Sequence, residues 1–238
     1  MIIDLVIPSF KRKEKLDRCL KSIFKAKELL VEDQANIYLY FDNNDVESYN
    51  YFESNYPEVE CFIMEKQYRA FGIWDYHLKN LKSMGLLYLC DDTELLSDCL
   101  VNLFKEVKIK FSDVDGMIGL NQSNIKGSDS AMGLILRKFA ERYPNNQCFC
   151  PDYVSFYADS EIGDYAKKLG KFYYAKEAKL THFHPSFYKE EVDEAHRIVR
   201  DSNQGIDKRV NAERKKRGLL WGESLTLIRE GRKNEEVT

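Results

Sequence analysis

The 238-residue chain has no G-x-x-x-x-G-K-[ST] and no G-x-G-x-x-G. The glycine cradles by which P-loop kinases and dinucleotide dehydrogenases hold phosphate are therefore missing. No two of the six cysteines (Cys19, Cys61, Cys90, Cys99, Cys148, Cys150) stand as C-x-x-C. At this length they read as buried free thiols of a reducing compartment, and Cys148-Phe-Cys150 is tighter than the usual zinc spacing. No run approaches the roughly 18 apolar residues of a membrane span. No basic stretch followed by a long apolar segment stands at the N-terminus, so no signal peptide is expected and a cytoplasmic location is. Neither sign of charge dominates: Lys and Arg number 36 against 39 Asp and Glu, which argues against a nucleic-acid binder as a whole. There is no internal repeat and no low-complexity linker.

What is present is apolar content of 44% alongside 32% charge, enough for a sizeable core in one domain or one domain with an appendage. Short, β-branched apolar runs alternate with amphipathic stretches. Strands are expected over 2–8, 36–42, 59–65, 86–90 and 116–120. Helices are expected over 13–30, 46–57, 70–85 and 97–111, the last with Ser97 as N-cap. This alternation predicts an α/β domain with a mostly parallel sheet flanked by helices. Beyond 120 the pattern loosens: a polar loop over 121–133, a helix over 134–144, a helix from about 159 to 170 and an aromatic strand over 171–185. Residues 187–233 read as helical and highly charged, and the last few as disordered. The expected division is a domain over 1–186 and a helical C-terminal extension over 187–238.

In open α/β sheets, ligands bind beyond the carboxyl ends of the strands. The residues there are Pro8-Ser9, Asp42-Asn43-Asn44, Gln67 with Arg69, and Asp91-Asp92. Two adjacent carboxylates at the end of a buried run repel each other and resist burial. A divalent cation would relieve that and would carry phosphate oxygens on its open positions; a capped, solvated turn is the plainer reading. His182 and His184, two apart in a strand, point to one face and suit a metal or a phosphate, or else an exposed edge. In "DSEIGD", Asp159, Glu161 and Asp164 open a helix. They serve as first-turn acids or as a general base for an acceptor hydroxyl. Trp74, Tyr76 and the aromatics from Phe172 to Tyr174 suit sugar or base stacking, but more commonly such residues are core. The basic stretch over 207–218 reads as a solvated helix face.

Taken in order, these motifs resemble the family 2 glycosyltransferases of the GT-A fold, over residues 2 to about 190. "VIPSFKRKEKLDRCLKSIF" is similar to the opening strand and helix, whose Pro-[ST]-[YF] triplet lines the nucleotide site (Pro8, Ser9). "YLYFDNND" resembles the second strand with its base-contacting aspartate (Asp42), and "QYRAFGIWDYHLKN" the segment with a base-contacting basic residue (Arg69). "LYLCDDTEL" resembles the D-x-D region, with Cys90 in place of the first aspartate, Asp91 at the nucleotide and Asp92 as metal ligand. "YADSEIGDYAKKLG" resembles the region of the catalytic base. It puts Asp159 in that role, with Glu161 and Asp164 competing because Ala158 replaces the usual preceding acid. "KLTHFHP" resembles the late histidine of the metal site, His182 or His184.

The resemblance implies a Mn²⁺- or Mg²⁺-dependent inverting glycosyltransferase of hexosyltransferase type, using a nucleotide-sugar donor, a UDP-sugar first. The acceptor stays open among glycan, lipid-linked sugar, protein and modified nucleic-acid base. The C-terminal helices are left to an acceptor wall or a homo-oligomer contact. The competing readings are a sugar-phosphate nucleotidyltransferase and a non-catalytic GT-A-like binding module.

Overall fold

A computed structural model describes residues 1–122, 130–185, 188, 192–193, 196–197 and 200–223. Its centre is β1 (Ile2–Ser9), paired in parallel with β2 (Gln34–Phe41) and β4 (Gly85–Tyr88). Strand β3 (Glu60–Ile63) adds in parallel beyond β2. On the other side follow β7 (Gly133–Leu136), β6 (Met117–Gln122), β8 (Phe172–His182) and β5 (Thr93–Leu95), giving the order β3-β2-β1-β4-β7-β6-β8-β5. The β6–β8 pair is parallel, whereas β4–β7, β6–β7 and β5–β8 are antiparallel.

The near-continuous apolar run of β1 has the cause expected of a strand covered on both faces. Its side chains alternate. Ile3, Leu5 and Ile7 pack with α1 (Lys13–Lys27) and α4 (Cys99–Lys110), while Val6 packs with α3 (Ala70–Lys79). Helix α1 buries one stripe, Leu16, Cys19, Leu20, Ile23 and Ala26, the 3.6-residue period of an amphipathic helix. Asp4 shares the α3 face and is 3% exposed. It is paired 3.1 Å from His77 Nε2, whose Nδ1 meets the Tyr40 hydroxyl at 2.9 Å. A buried polar group of this kind is tolerated because each member finds a partner.

Helix α2 is Val46–Asn55. The structure corrects several boundaries. Helix α3 stops at Lys79, six residues short of the expected end, and β4 begins at Gly85. The N-cap of α4 is Asp98 instead of Ser97, and no side chain caps it. The segment 134–144 is not one helix: its apolar opening is β7, followed by the single turn α5 (Arg137–Ala140). A four-residue apolar run is ambiguous by period alone, and here β4 and β6 bury it from both sides as a strand. Three-residue β5 carries no local signal and exists through its pairing with β8.

Helix α6 (Ala158–Lys168) lies so close to the segment at Ser130 that a Cβ on Gly163 would sit 2.6 Å from the Ser130 side chain. The C-terminal helix α7 (Gly205–Lys216) follows a π-helical turn, Arg200–Gln204. Of the helical stretch expected over 187–233, the structure describes the π-helical turn and α7 but shows turns over 217–223, while most of 187–199, the expected disordered tail and most of the 121–133 loop lie outside the described residues. Among the described residues no helix is long and apolar enough to cross a membrane.

Candidate active site

Parallel pairing of β1 with β2 and β4 brings their carboxyl ends to one rim, and Ser9, Asp42 and the Asp91-Asp92 pair arrive there together. A cavity of about 720 Å³ opens at this rim, within the size range of small-molecule sites. Pro8, Ser9, Asp42, Gln67, Arg69, Asp91, Asp92, Asp159, His182 and His184 all line it. Antiparallel pairing of Thr93 with His182 delivers the imidazole to the aspartates, and the Phe183 N–H donates to the Asp92 carbonyl at 2.8 Å.

The two aspartates are 3% and 2% exposed. The positive charge they require comes first from Arg12. Its Nη1 donates to Asp91 Oδ1 at 2.7 Å and stands 3.7 Å from Asp92 Oδ2. Arg12 is set in place by the turn after β1, where Lys11 takes a positive φ of 53° and gives its N–H to Asp45 Oδ2 at 2.6 Å. Its Nε donates to Asp193 Oδ2 at 2.8 Å, its Nη2 touches His196, and Lys15 Nζ also reaches Asp193 at 2.8 Å. Burial opposes the charge on Arg12, but Asp91, Asp92 and Asp193 outweigh it and hold the guanidinium firmly protonated. Burial pushes the Asp91 carboxyl up, against the pull of Arg12 and a 2.8 Å hydrogen bond from Ser9 Oγ. Burial acts on Asp92 in the same sense. There the neighbouring imidazoles of His182 and His196, with Arg12, prevail and hold it well below the usual carboxylate range.

The sequence reading missed Arg12, Asp193 and His196. Arg12 is visible in hindsight as an arginine in the basic run just after the first strand. His196, whose Nε2 lies 3.2 Å from Asp92 Oδ2, is carried by a charged segment with no motif.

The donor set fits a hard divalent cation in part. Asp92 Oδ1 is buried and accepts no hydrogen bond; His182 Nε2 stands 3.3 Å away, at ion-pair distance. His182 Nδ1 is oriented by Gln122 Oε1 at 2.8 Å, the outer contact that fixes a ligating imidazole. His184 is next to it, ring centres 5.3 Å apart. Burial first, and then His182, lower its pKa to about 4, which keeps it a neutral donor at pH 7. Among the described residues no group of three or more His, Cys, Asp or Glu forms a complete cage. Asp92 with one imidazole leaves most of a cation's shell to other oxygens, as suits a cation that shares its shell with phosphate.

Asp159, which lines the same cavity, stands in the first turn of α6. Burial raises its pKa to about 6, against backbone N–H groups of Ser160 and Asp159 and the charge of His182. Asp42 is also raised by burial, offset by Gln67, the Tyr68 backbone and Arg69. Glu161 and Asp164 do not line the cavity. Both oxygens of Glu161 are taken: Arg214 Nε and the Tyr153 hydroxyl reach Oε2 at 2.8 and 2.9 Å, and the Trp221 N–H reaches Oε1 at 2.6 Å. Asp164 is exposed on the outer face beside Lys167. Of the aromatics, Trp74 is buried, giving its indole N–H to the Val6 carbonyl at 3.1 Å, and also lines the cavity. Tyr76 and the 172–174 group stand away from the cavity. Cys148 and Cys150 are buried thiols pushed up by burial.

This strand order is a GT-A-like fold. The solved structures it resembles include those of two proteins, TarS and PcManGT. S. aureus TarS 1–349 superposes with a TM-score of 0.59 at 10% identity, over 82% of this chain and 68% of that one. Its complex with UDP gives 0.60 at 12% identity over the same shares. The mannosyltransferase PcManGT from Pyrobaculum calidifontis, in complex with GDP-Man and Mn²⁺, gives 0.60 at 10% identity over 89% of this chain. This chain spans 64% of the length of that mannosyltransferase. No family model matches the chain, and neither does any curated protein.

Proposed function

We propose that the chain is a metal-dependent inverting glycosyltransferase that moves a sugar from a nucleotide-diphosphate donor, a UDP-sugar first, to an acceptor hydroxyl. The observation that carries this reading is that two unlike carboxyl sites line one cavity. Asp91 and Asp92 form one, and a separate carboxyl, Asp159, with its pKa raised to about 6, forms the other. TarS with UDP and PcManGT with GDP-Man and Mn²⁺ support a nucleotide sugar and a divalent cation as the chemistry of this fold.

In this reading Asp42 and Arg69 hold the nucleobase, and Pro8 and Ser9 line the nucleotide channel with Asp91. Asp92 and His182, with His184 as the alternative imidazole, would hold Mn²⁺ or Mg²⁺. That ion would supply Lewis acidity toward the departing diphosphate. Asp159 takes the proton of the acceptor hydroxyl as the oxygen attacks the anomeric carbon from the face opposite the diphosphate, and one displacement inverts that carbon. A carboxyl titrating near 6 is largely ionised at pH 7 yet more basic than an ordinary aspartate, which suits a general base. The acid limb of kcat/KM is expected near pH 6.

Substituting Asp159→Asn tests the role. Nucleotide release is expected to fall about 10²–10⁴-fold, while donor affinity measured by calorimetry stays within twofold. Wild-type turnover would remove Asp159 from the mechanism. Asp92→Asn is expected to abolish Mn²⁺-dependent turnover with the fold intact by circular dichroism; full activity would remove the metal assignment. Pyrophosphate release from a nucleoside triphosphate and a sugar phosphate would instead mark a nucleotidyltransferase.

A further inference from the structure

We infer that Asp207, assisted by Arg214, is a positioning residue for Asp159: the C-terminal helix clamps the loop and helix turn that aim this carboxyl into the cavity. The inference rests on reading Asp159 as the base.

Asp207 belongs to the first turn of α7 and is 0% exposed. Its carboxylate is wrapped by successive backbone donors. The Val154 N–H reaches Oδ1 at 2.9 Å, and the Ser155 and Phe156 N–H groups reach Oδ2 at 2.8 Å each. Asn203 Nδ2 adds a hydrogen bond to Ser155 Oγ at 3.1 Å. A carboxylate that collects several backbone N–H groups fixes the path of the chain that carries them. Directly after this grip, Tyr157 adopts the left-handed conformation, φ 73° and ψ −16°, which a side-chain-bearing residue holds only where its surroundings enforce it. Helix α6 starts at the next residue, and Asp159 follows.

A second grip acts on the far side of Asp159. Glu161, two residues on, is held by both Arg214 and the Trp221 N–H, and Arg214 also pairs with Asp152. The segment 154–161 is thus fixed from before and after by side chains and backbone between 203 and 221. Ser155, Phe156, Tyr157, Asp159 and Ser160 are the cavity lining that this segment contributes. Asp207 and Arg214 themselves do not line the cavity, so they act through the loop and not on a substrate. A base that must meet a hydroxyl within hydrogen-bond reach loses rate steeply when displaced by about 1 Å.

The test compares wild type with Asp207→Asn. Asparagine keeps the shape but turns one accepting oxygen into a donor that faces a backbone N–H. Backbone amide hydrogen exchange at Val154–Phe156 and Asp159–Ser160 is expected to quicken at least tenfold, while β1 and β2 stay unchanged. Carboxyl ¹³C titration is expected to show Asp159 moving down from about 6 toward the ordinary range as water enters. His182 and Cys90, the titratable neighbours that interact with this carboxyl, are present in both proteins. With UDP-glucose or GDP-mannose, Mn²⁺ and water as acceptor, kcat for nucleotide release is expected to fall at least tenfold with donor KM within twofold.

Faster exchange at the clamp with Asp159 titrating as in wild type would make Asp207 merely structural and overturn the inference, as would kcat within twofold. If Asp207→Asn does not fold, Arg214→Lys loosens the second grip alone. A smaller fall in kcat, about threefold, with unchanged donor KM is then expected, and no fall overturns the inference. If wild type releases nucleotide from neither donor, titration and exchange decide. Unchanged turnover in Asp159→Asn would defeat the base reading by itself, while the Asp159 titration in Asp207→Asn still judges the clamp.

Discussion

Replacing Arg12 by methionine leaves Asp91 buried without the guanidinium that stands 2.7 Å away. Breaking one side of a buried ion pair costs about 3–5 kcal/mol, so Arg12→Met is expected to lower the melting temperature in EDTA. Mn²⁺ is expected to raise it by more in the variant than in wild type, because the cation replaces the missing charge. Equal melting of the two proteins in EDTA would show that Arg12 is not the counter-charge.

Asp159 yields a second residue-scale expectation, with the opposite sign. Its folded pKa, about 6, lies above the roughly 3.9 of an unfolded aspartate. Ionisation is thus disfavoured in the folded state. Below pH 4 both states are protonated and nothing is lost; from pH 4 to 6 the penalty grows, and above 6 it is constant. Asp159→Asn should therefore melt about 6–11 °C higher than wild type at pH 7.5, with the gap closing near pH 3.5 in scanning calorimetry. A lower melting point at pH 7.5 would mean that the carboxylate is a net stabiliser.

Several polar residues that meet in the cavity, Ser9, Asp42, Asp91 and Asp92, could be named from the chain because they follow apolar runs, where a polar residue is conspicuous. Arg12 and His196 could not be. One charged residue among many carries no local mark, and only the folded path of the chain selects it. Glu161 shows the converse, since its sequence context equals that of Asp159. Two steps along a helix is a rotation of about 200°, which turns its carboxylate from the cavity to Arg214.

At the scale of elements, the alternation of strand and helix up to 120 was legible because each run is long enough to show its period. Strand β7 was not, because its apolar run leads straight into the turn Arg137–Ala140 and reads as one helix with it, and strand β5 is only three residues long. Their identity comes from partners far away in the chain, which no window of sequence contains. Gly163 gives this scale its prediction. Alanine normally favours a helix interior by about 1 kcal/mol over glycine. Here its Cβ would meet Ser130 Cβ and Oγ at 2.6 Å, and overpacking of that kind costs about 1–3 kcal/mol. Gly163→Ala is expected to lower the urea midpoint, and adding Ser130→Gly to restore it. A raised midpoint in the single variant would show that α6 can shift away from Ser130 freely.

For the whole molecule, nucleotide binding is the most general readout, since a ligand specific to the folded state stabilises it by about 2.7 kcal/mol at a hundredfold excess over Kd. UDP is expected to raise the melting temperature more than GDP, CDP or TDP, and only with Mn²⁺ or Mg²⁺ present. A shift that ignores the metal would contradict the assigned role of Asp92. The overall class of fold was readable because it depends on the sum of many weak local signals. The base identity and the acceptor depend on a few contacts each.

The wrapping of Asp207 by the 154–156 backbone also sets a timetable. A ribosome makes residue 159 about 50 residues before residue 207, roughly 2–10 s earlier at ordinary elongation rates of about 5–20 residues per second. During that interval β1, β2 and β4 already exist as polypeptide, while the Asp159 carboxyl hangs on an ungripped loop. On the proposed reading, a nascent chain gains the means to hold a donor before it gains the means to use one, and synthesis itself delays the enzyme's first turnover.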